Sequence, residues 1–155
     1  MNLFLADCAA IEENVAKIYR LMAQNQRLSE ALRQTLLKMA SDEDRHAEKL
    51  LFALRLSREE VIDEYRLSHQ RIKQLLAESH AILARLTTHP FGEDEALITM
   101  IRLEREFCQV HVEAVAHFND PSMRSLFESL AGDDESHRAT LDAYLARLAQ
   151  SDEHP

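Results

Sequence analysis

Met39-Ala40-Ser41-Asp42-Glu43-Asp44-Arg45-His46 and Leu130-Ala131-Gly132-Asp133-Asp134-Glu135-Ser136-His137 are two versions of one phrase. Each ends in an acid followed three residues later by a histidine, Glu43-x-x-His46 and Asp134-x-x-His137, and each lies inside an apolar pattern of helical period. Residues three apart on a helix share a face, so each unit points a carboxylate and an imidazole in one direction. The remainder of the chain reads as the frame that brings the two units together.

That frame is helical. The 155 residues contain only 2 Gly and 3 Pro, and Ala, Leu, Glu, Arg and Gln dominate. A chain of this length makes one domain, 1–155, with a core of real size. The formal charge of −9 argues against nucleic acid and against anionic membrane surfaces, and suits the attraction of cations. No apolar run reaches the length of a membrane span, and Met1-Asn2-Leu3-Phe4-Leu5 lacks a basic region before a hydrophobic stretch, so a cytoplasmic location is expected. Cys8 and Cys108 form no Cys-x-x-Cys pair, which excludes a disulfide framework and a thiolate metal knuckle.

The periodicity predicts a first helix over about 3–26, with the stripe Leu5, Cys8, Glu12, Val15, Tyr19, Met22. Ser29 is placed to cap a second helix reaching about residue 54, with the stripe Leu32, Leu36, Met39, Glu43, His46, Leu50, Ala53. The short link between them implies an antiparallel hairpin. Ser57-Arg58-Glu59-Glu60 has the spacing of a capping box and opens a third helix over about 58–87, which carries no acid-x-x-His unit. Some thirty helical residues rise about 45 Å, enough to return the chain along a bundle as a crossover. The competing reading docks this helix on a partner chain or swaps it into a dimer. After the break at His89-Pro90-Phe91-Gly92 a fourth helix is expected over about 94–118, with the stripe Leu97, Met100, Glu104, Phe107, His111, Val115, Phe118. Pro121 begins the last helix, about 121–149, with the stripe Met123, Phe127, Leu130, Asp134, His137, Leu141, Tyr144, Leu148, and a polar frayed tail follows.

An internal repeat emerges. Each half is a helix hairpin with one acid midway on its first helix, Glu12 or Glu104, and acid-x-x-His midway on its second. Two such hairpins and a crossover fit an all-α, four-helix bundle with one long connection. One Glu or His in an apolar stripe is more often an edge residue, but four central acids and two histidines at matching positions call for a common cause. An isolated ionised carboxylate in an apolar core is costly, and no Lys or Arg lies within the four stripes. Bound cations solve the problem, and oxygen donors plus imidazole suit iron or manganese, with zinc also accommodated.

The chain resembles the ferritin-like di-iron carboxylate superfamily, and most of all its rubrerythrin-type domain, over about four-fifths of its length. The likeness is carried by Ile11-Glu12-Glu13-Asn14-Val15-Ala16-Lys17-Ile18-Tyr19 and by Ala40-Ser41-Asp42-Glu43-Asp44-Arg45-His46-Ala47-Glu48. The resemblance implies Glu12 and Glu104 as terminal ligands, Glu43 and Asp134 as bridges, His46 and His137 as one nitrogen ligand per metal, and a Tyr19 hydroxyl behind them. Three departures stand out. Asp134 replaces the usual Glu and falls one methylene short, with Asp133 a turn before His137 able to share its task. Phe107 stands where the family carries a further ligand Glu. His111 takes the place that Tyr19 holds in the first half, as a donor behind the ligands, a seventh ligand, or a core histidine. A hemerythrin-like reading fails because its paired histidine spacings are absent.

The resemblance implies a di-iron, or di-manganese, oxidoreductase that reduces peroxide or oxidises Fe(II) with O2, with Tyr19 or His111 supplying a proton. There is no Cys-rich rubredoxin module, so an external electron donor protein is expected, as is a homodimer or higher homo-oligomer. The other readings are a ferritin-like iron-binding or storage subunit, a di-iron oxygenase acting on an organic substrate, and a structural bundle with a vestigial site. If the fourth helix runs antiparallel beside the first, Cys8 and Cys108 fall at one level, as a redox pair or as two small buried hydrophobes. His69, His80, His89, His117 and His154 read as surface residues.

Overall fold

The computed structural model describes residues 2–56 and 66–152, and within them the chain is helical, with no strand. The helices are α1 (Asn2–Ala23), α2 (Glu30–Leu56), α3 (Arg66–Leu86), α4 (Glu93–His117) and α5 (Pro121–Asp152). α1 packs along α2 and α4 along α5, and α3 lies against α1. This is the all-α, ferritin-like bundle of two hairpins joined by a helical crossover. The expected helix ends move by up to three residues at most termini, and α5 carries on through Gln150, where a frayed tail was expected. The capping-box start of the third helix, residues 57–60, and Tyr65 lie outside the described residues.

Local chemistry sets the boundaries. Ser29 Oγ accepts the Leu32 N–H at 3.3 Å and donates to Glu93 Oε1 at 2.9 Å, so one hydroxyl caps α2 and ties it to the start of α4. Asn25 Nδ2 donates to the Phe91 carbonyl at 2.7 Å, joining the end of α1 to the same corner. Asp120 Oδ1 accepts the N–H groups of Ser122 and Met123 at 2.7 and 3.0 Å, which caps α5 just before Pro121 at its first position. Glu93, Asp94 and Glu95 fill the first turn of α4, where the helix dipole favours negative charge.

The contacts define the register. Phe4 meets Phe118, while Asn25 meets Phe91, so α1 and α4 run antiparallel. Thr35 pairs with Tyr144 and Asp42 with His137, so α2 and α5 do too. The four expected stripes form the core, and Glu12, Glu43, His46, Glu104, His111, Asp134 and His137 are buried among their apolar neighbours. α1 buries a second row, Ile11, Asn14 and Ile18, because α3 covers it: Asn14 Nδ2 donates to Ser79 Oγ at 3.0 Å. Arg71 and Glu78 of α3 pair with Glu106 and Arg102 of α4, and Ile72, Leu75 and Ile82 are buried. The crossover thus belongs to its own chain's core. His80, His89 and His117 are exposed, as expected.

Candidate metal centre

The acids sit at mid-height of the bundle because each occupies the middle of its own stripe. α1 presents Glu12 and, two turns on, Tyr19; α4, running the other way, presents Glu104 and His111. Seven helical residues rise about 10 Å, so Tyr19 comes level with Glu104 and His111 with Glu12. The Tyr19 hydroxyl donates to Glu104 Oε1. His111 Nε2 lies 3.7 Å from Glu12 Oε1, and its Nδ1 donates instead to Asp134 Oδ2 at 2.7 Å.

The eight residues singled out in the sequence converge here, and the donor atoms of six of them fall into two sets. Glu12, Glu43, His46 and Asp134 each offer one atom within 4.8 Å of the others; Glu43, Glu104 and His137 do the same. Glu43 belongs to both. Its Oε2 faces His46 Nδ1 at 2.9 Å and its Oε1 faces His137 Nδ1 at 2.8 Å. His137 Nδ1 is also 3.6 Å from Glu104 Oε1, and the two imidazoles stack with centroids 6.1 Å apart. Asp134 stands in the first set alone.

The outer ring nitrogens are held by carboxylates that the stripes do not contain. His46 Nε2 meets Asp133 Oδ2 at 3.1 Å, and His137 Nε2 meets Asp42 Oδ2 at 3.3 Å. The pairing is reciprocal: the aspartate just before each acid-x-x-His unit clasps the histidine of the other. Asp133 therefore serves His46 from a half-exposed rim and stands in neither convergent set. Asp42 was not singled out by periodicity; the repeat of Asp42-Glu43 in Asp133-Asp134 was the available signal.

Electrostatics shows how strained this cluster is without a cation. Burial, with the charges of Glu43 and Asp134, pushes the Glu12 carboxyl well above its ordinary range. Burial and the Glu43 charge push Glu104 up to about 8. Burial also raises Asp134, against the pull of His111. Burial would raise Glu43 as well, but the facing His137 and His46 outweigh it and hold Glu43 well below the usual carboxylate range. Burial works to lower His137, yet Glu104 and Glu43 carry it up to about 11, and Glu43 raises His46 in the same way. Burial and the Glu104 charge keep the Tyr19 phenol protonated.

A metal fits this arrangement on the evidence of its own atoms. Among the described residues, Glu12 Oε1 and His111 Nε2 are buried side-chain atoms with no hydrogen-bond partner, and Glu43 Oε1 and His137 Nδ1 meet as an ion pair at 2.8 Å. Buried polar groups are seldom left unpartnered, and these lie together among the acids. His46 and His137 each also have a far nitrogen on a carboxylate, the arrangement that orients a histidine able to bind metal. The space between the acids is walled by Val15, Leu103 and Phe107.

The rubrerythrin family profile matches residues 4–145. The chain belongs to the rubrerythrin family. No curated protein and no solved structure gives a significant match. Membership agrees with the helical bundle and with a buried cluster of carboxylates and histidines able to hold metal. Among the described residues no helix is long and apolar enough to cross a membrane.

The two cysteines are both free. Cys8 is fully buried, and Cys108 Sγ turns to the Ala131 carbonyl of α5 at 3.5 Å. Burial first, then the Asp7 charge for Cys8 and the Asp134 charge for Cys108, raises each thiol above its ordinary value. Reactive cysteines have the opposite bias; Cys8 belongs to the core, and Cys108 is half-buried at its edge.

Proposed function

We propose that this protein is a di-metal carboxylate oxidoreductase of rubrerythrin type, with two iron ions, or two manganese ions in their place, held by Glu12, Glu43, His46, Glu104, Asp134 and His137. The observation that carries the reading is Glu43. One buried carboxylate faces two histidines with its two oxygens and belongs to two convergent donor sets. A bundle built only for stability gains nothing from four buried acids, since well-packed apolar residues do as well or better.

When bound, a pair of redox metals supplies two electrons, one from each ion, which with two protons reduces hydrogen peroxide to two molecules of water. The chain's own groups do the rest. Tyr19 holds a proton on its hydroxyl and directs it at Glu104, which fixes that carboxylate's orientation. His111 holds a proton at Nδ1 toward Asp134. Asp42 and Asp133 keep the imidazoles of His137 and His46 turned so that Nδ1 faces Glu43 in each. Val15, Leu103 and Phe107 keep bulk water from the acids. Electrons return from an external donor protein, and oxidation of Fe(II) by O2 uses the same residues.

The test is metal content on freshly purified protein, with Glu43→Ala and His137→Ala as controls, followed by peroxide consumption with a reducing donor. The reading expects about two metal ions per chain, with both variants depleted. Metal-free protein from iron-rich medium would sink it.

A further inference from the structure

The two halves of the centre are built from one repeat, yet they do not match. Tyr19 donates to Glu104 across the bundle. By the repeat, His111 should do the same for Glu12. It does not: the His111–Glu12 approach is 3.7 Å without a hydrogen bond, and the ring nitrogen that donates goes to Asp134 at 2.7 Å. The partner it finds is the one carboxylate that is a methylene shorter than its counterpart Glu43. The shortened acid and the imidazole form a coupled pair that the first half lacks.

The consequence is an uneven division of donors. One position has Glu12, Asp134, His46 and the shared Glu43; the other has Glu104, His137 and the shared Glu43. On the α4 face beyond Glu104, Phe107 offers no oxygen. His111 also presents an unpartnered, fully buried Nε2 on the Glu12 side. Affinity for a divalent cation grows with the number of charged ligands and with how firmly they are held.

We propose that the chain binds its two cations stepwise: first at Glu12/Glu43/His46/Asp134, then more weakly at Glu43/Glu104/His137. His111 is the positioning residue that confines Asp134 to the first position. This rests on the di-metal reading above and deepens it. The second ion is then the exchangeable one, and the centre has a singly loaded state.

Co2+ added alone to the chelator-stripped full chain tests this, followed by calorimetry and by visible absorption. The wild type should take up two ions in two steps whose affinities differ by about tenfold or more. Glu104→Gln should abolish the second step and leave the first. His111→Phe should weaken the first step about 10–100-fold and change the absorption of the first bound ion. His111→Asn, whose amide N–H replaces Nδ1–H, should restore both. Asp134→Glu, which returns the missing methylene, should draw the two steps together. Two equal steps in the wild type, unmoved by Asp134→Glu, would overturn the inference and leave the di-metal reading standing. No Co2+ binding at all would overturn both. The wild-type and Asp134→Glu arms decide the matter even if His111→Phe fails to fold.

Discussion

The α1–α2 hairpin and the α4–α5 hairpin start from the same plan and end with different sites. In the first, Glu43 and His46 lie a turn apart on one helix and face each other at 2.9 Å. In the second, His137 passes over Asp134 and turns to Glu43 of the other hairpin, leaving Asp134 to His111. The repeat survives in the reciprocal aspartate–histidine clasps and is broken at the metal-facing oxygens. The lesson is that one methylene decides where a carboxylate can reach, and the neighbouring side chain adapts to it.

The largest expected effect follows from the one residue both sets share. Glu43→Ala should drop metal content from about two to none, whereas Glu12→Gln and Glu104→Gln should each leave about one ion, counted by elemental analysis. Equal losses in all three would erase the distinction between bridge and terminal ligand.

Next come the side chains two turns below the acid in each half, Leu36 and Phe127, both fully buried. Phe127 packs on Phe4, Phe118 and the His111 ring. Phe127→Ala should cost about 3–5 kcal/mol and Leu36→Ala about 2–5 kcal/mol in chemical denaturation. Phe127→Ala should also disturb the His111 imidazole resonances, since the two rings meet edge to face.

Within the metal-free cluster the shared carboxylate and its neighbours titrate in opposite senses. Glu104 takes a proton on folding because burial and the Glu43 charge raise it from the ordinary 4.5 to about 8, so its contribution to stability falls as pH climbs between those values. His137, raised from 6.5 to about 11, contributes fully below 6.5 and loses that contribution as pH rises through 11. Glu43, held low, contributes above its unfolded value and loses stability as pH falls. The Tm of stripped protein should therefore decline from pH 6 to pH 9, and metal-loaded protein should show a flatter profile because cations replace those protons. Identical slopes would mean that the acids are not where the metal binds.

Tyr19→Phe removes one hydroxyl from Glu104 and should weaken the second cation about 10–100-fold with little change in the first, read by metal titration. The smallest effect belongs to the surface. Asp44 pairs with Arg20 between α1 and α2, both half-exposed, and Asp44→Asn should cost less than about 1 kcal/mol and leave metal content unchanged.

Much of this was legible in the chain itself. Helical period placed all eight candidate residues on buried stripes, and the two acid-x-x-His units with Glu12 and Glu104 fixed the bundle, its hairpins and the rubrerythrin likeness. These are local matters: a residue's face depends on counting by 3.6 along its own helix. The register and approach of separate helices are not local. Only the packed bundle decided that Asp134, unlike Glu43, serves a single set, that His111 chooses Asp134 over Glu12, and that Asp42 and Asp133 cross to the opposite histidines. Those choices turn on differences of an ångström or so between side chains on different helices, a scale that sequence spacing does not carry and close packing does.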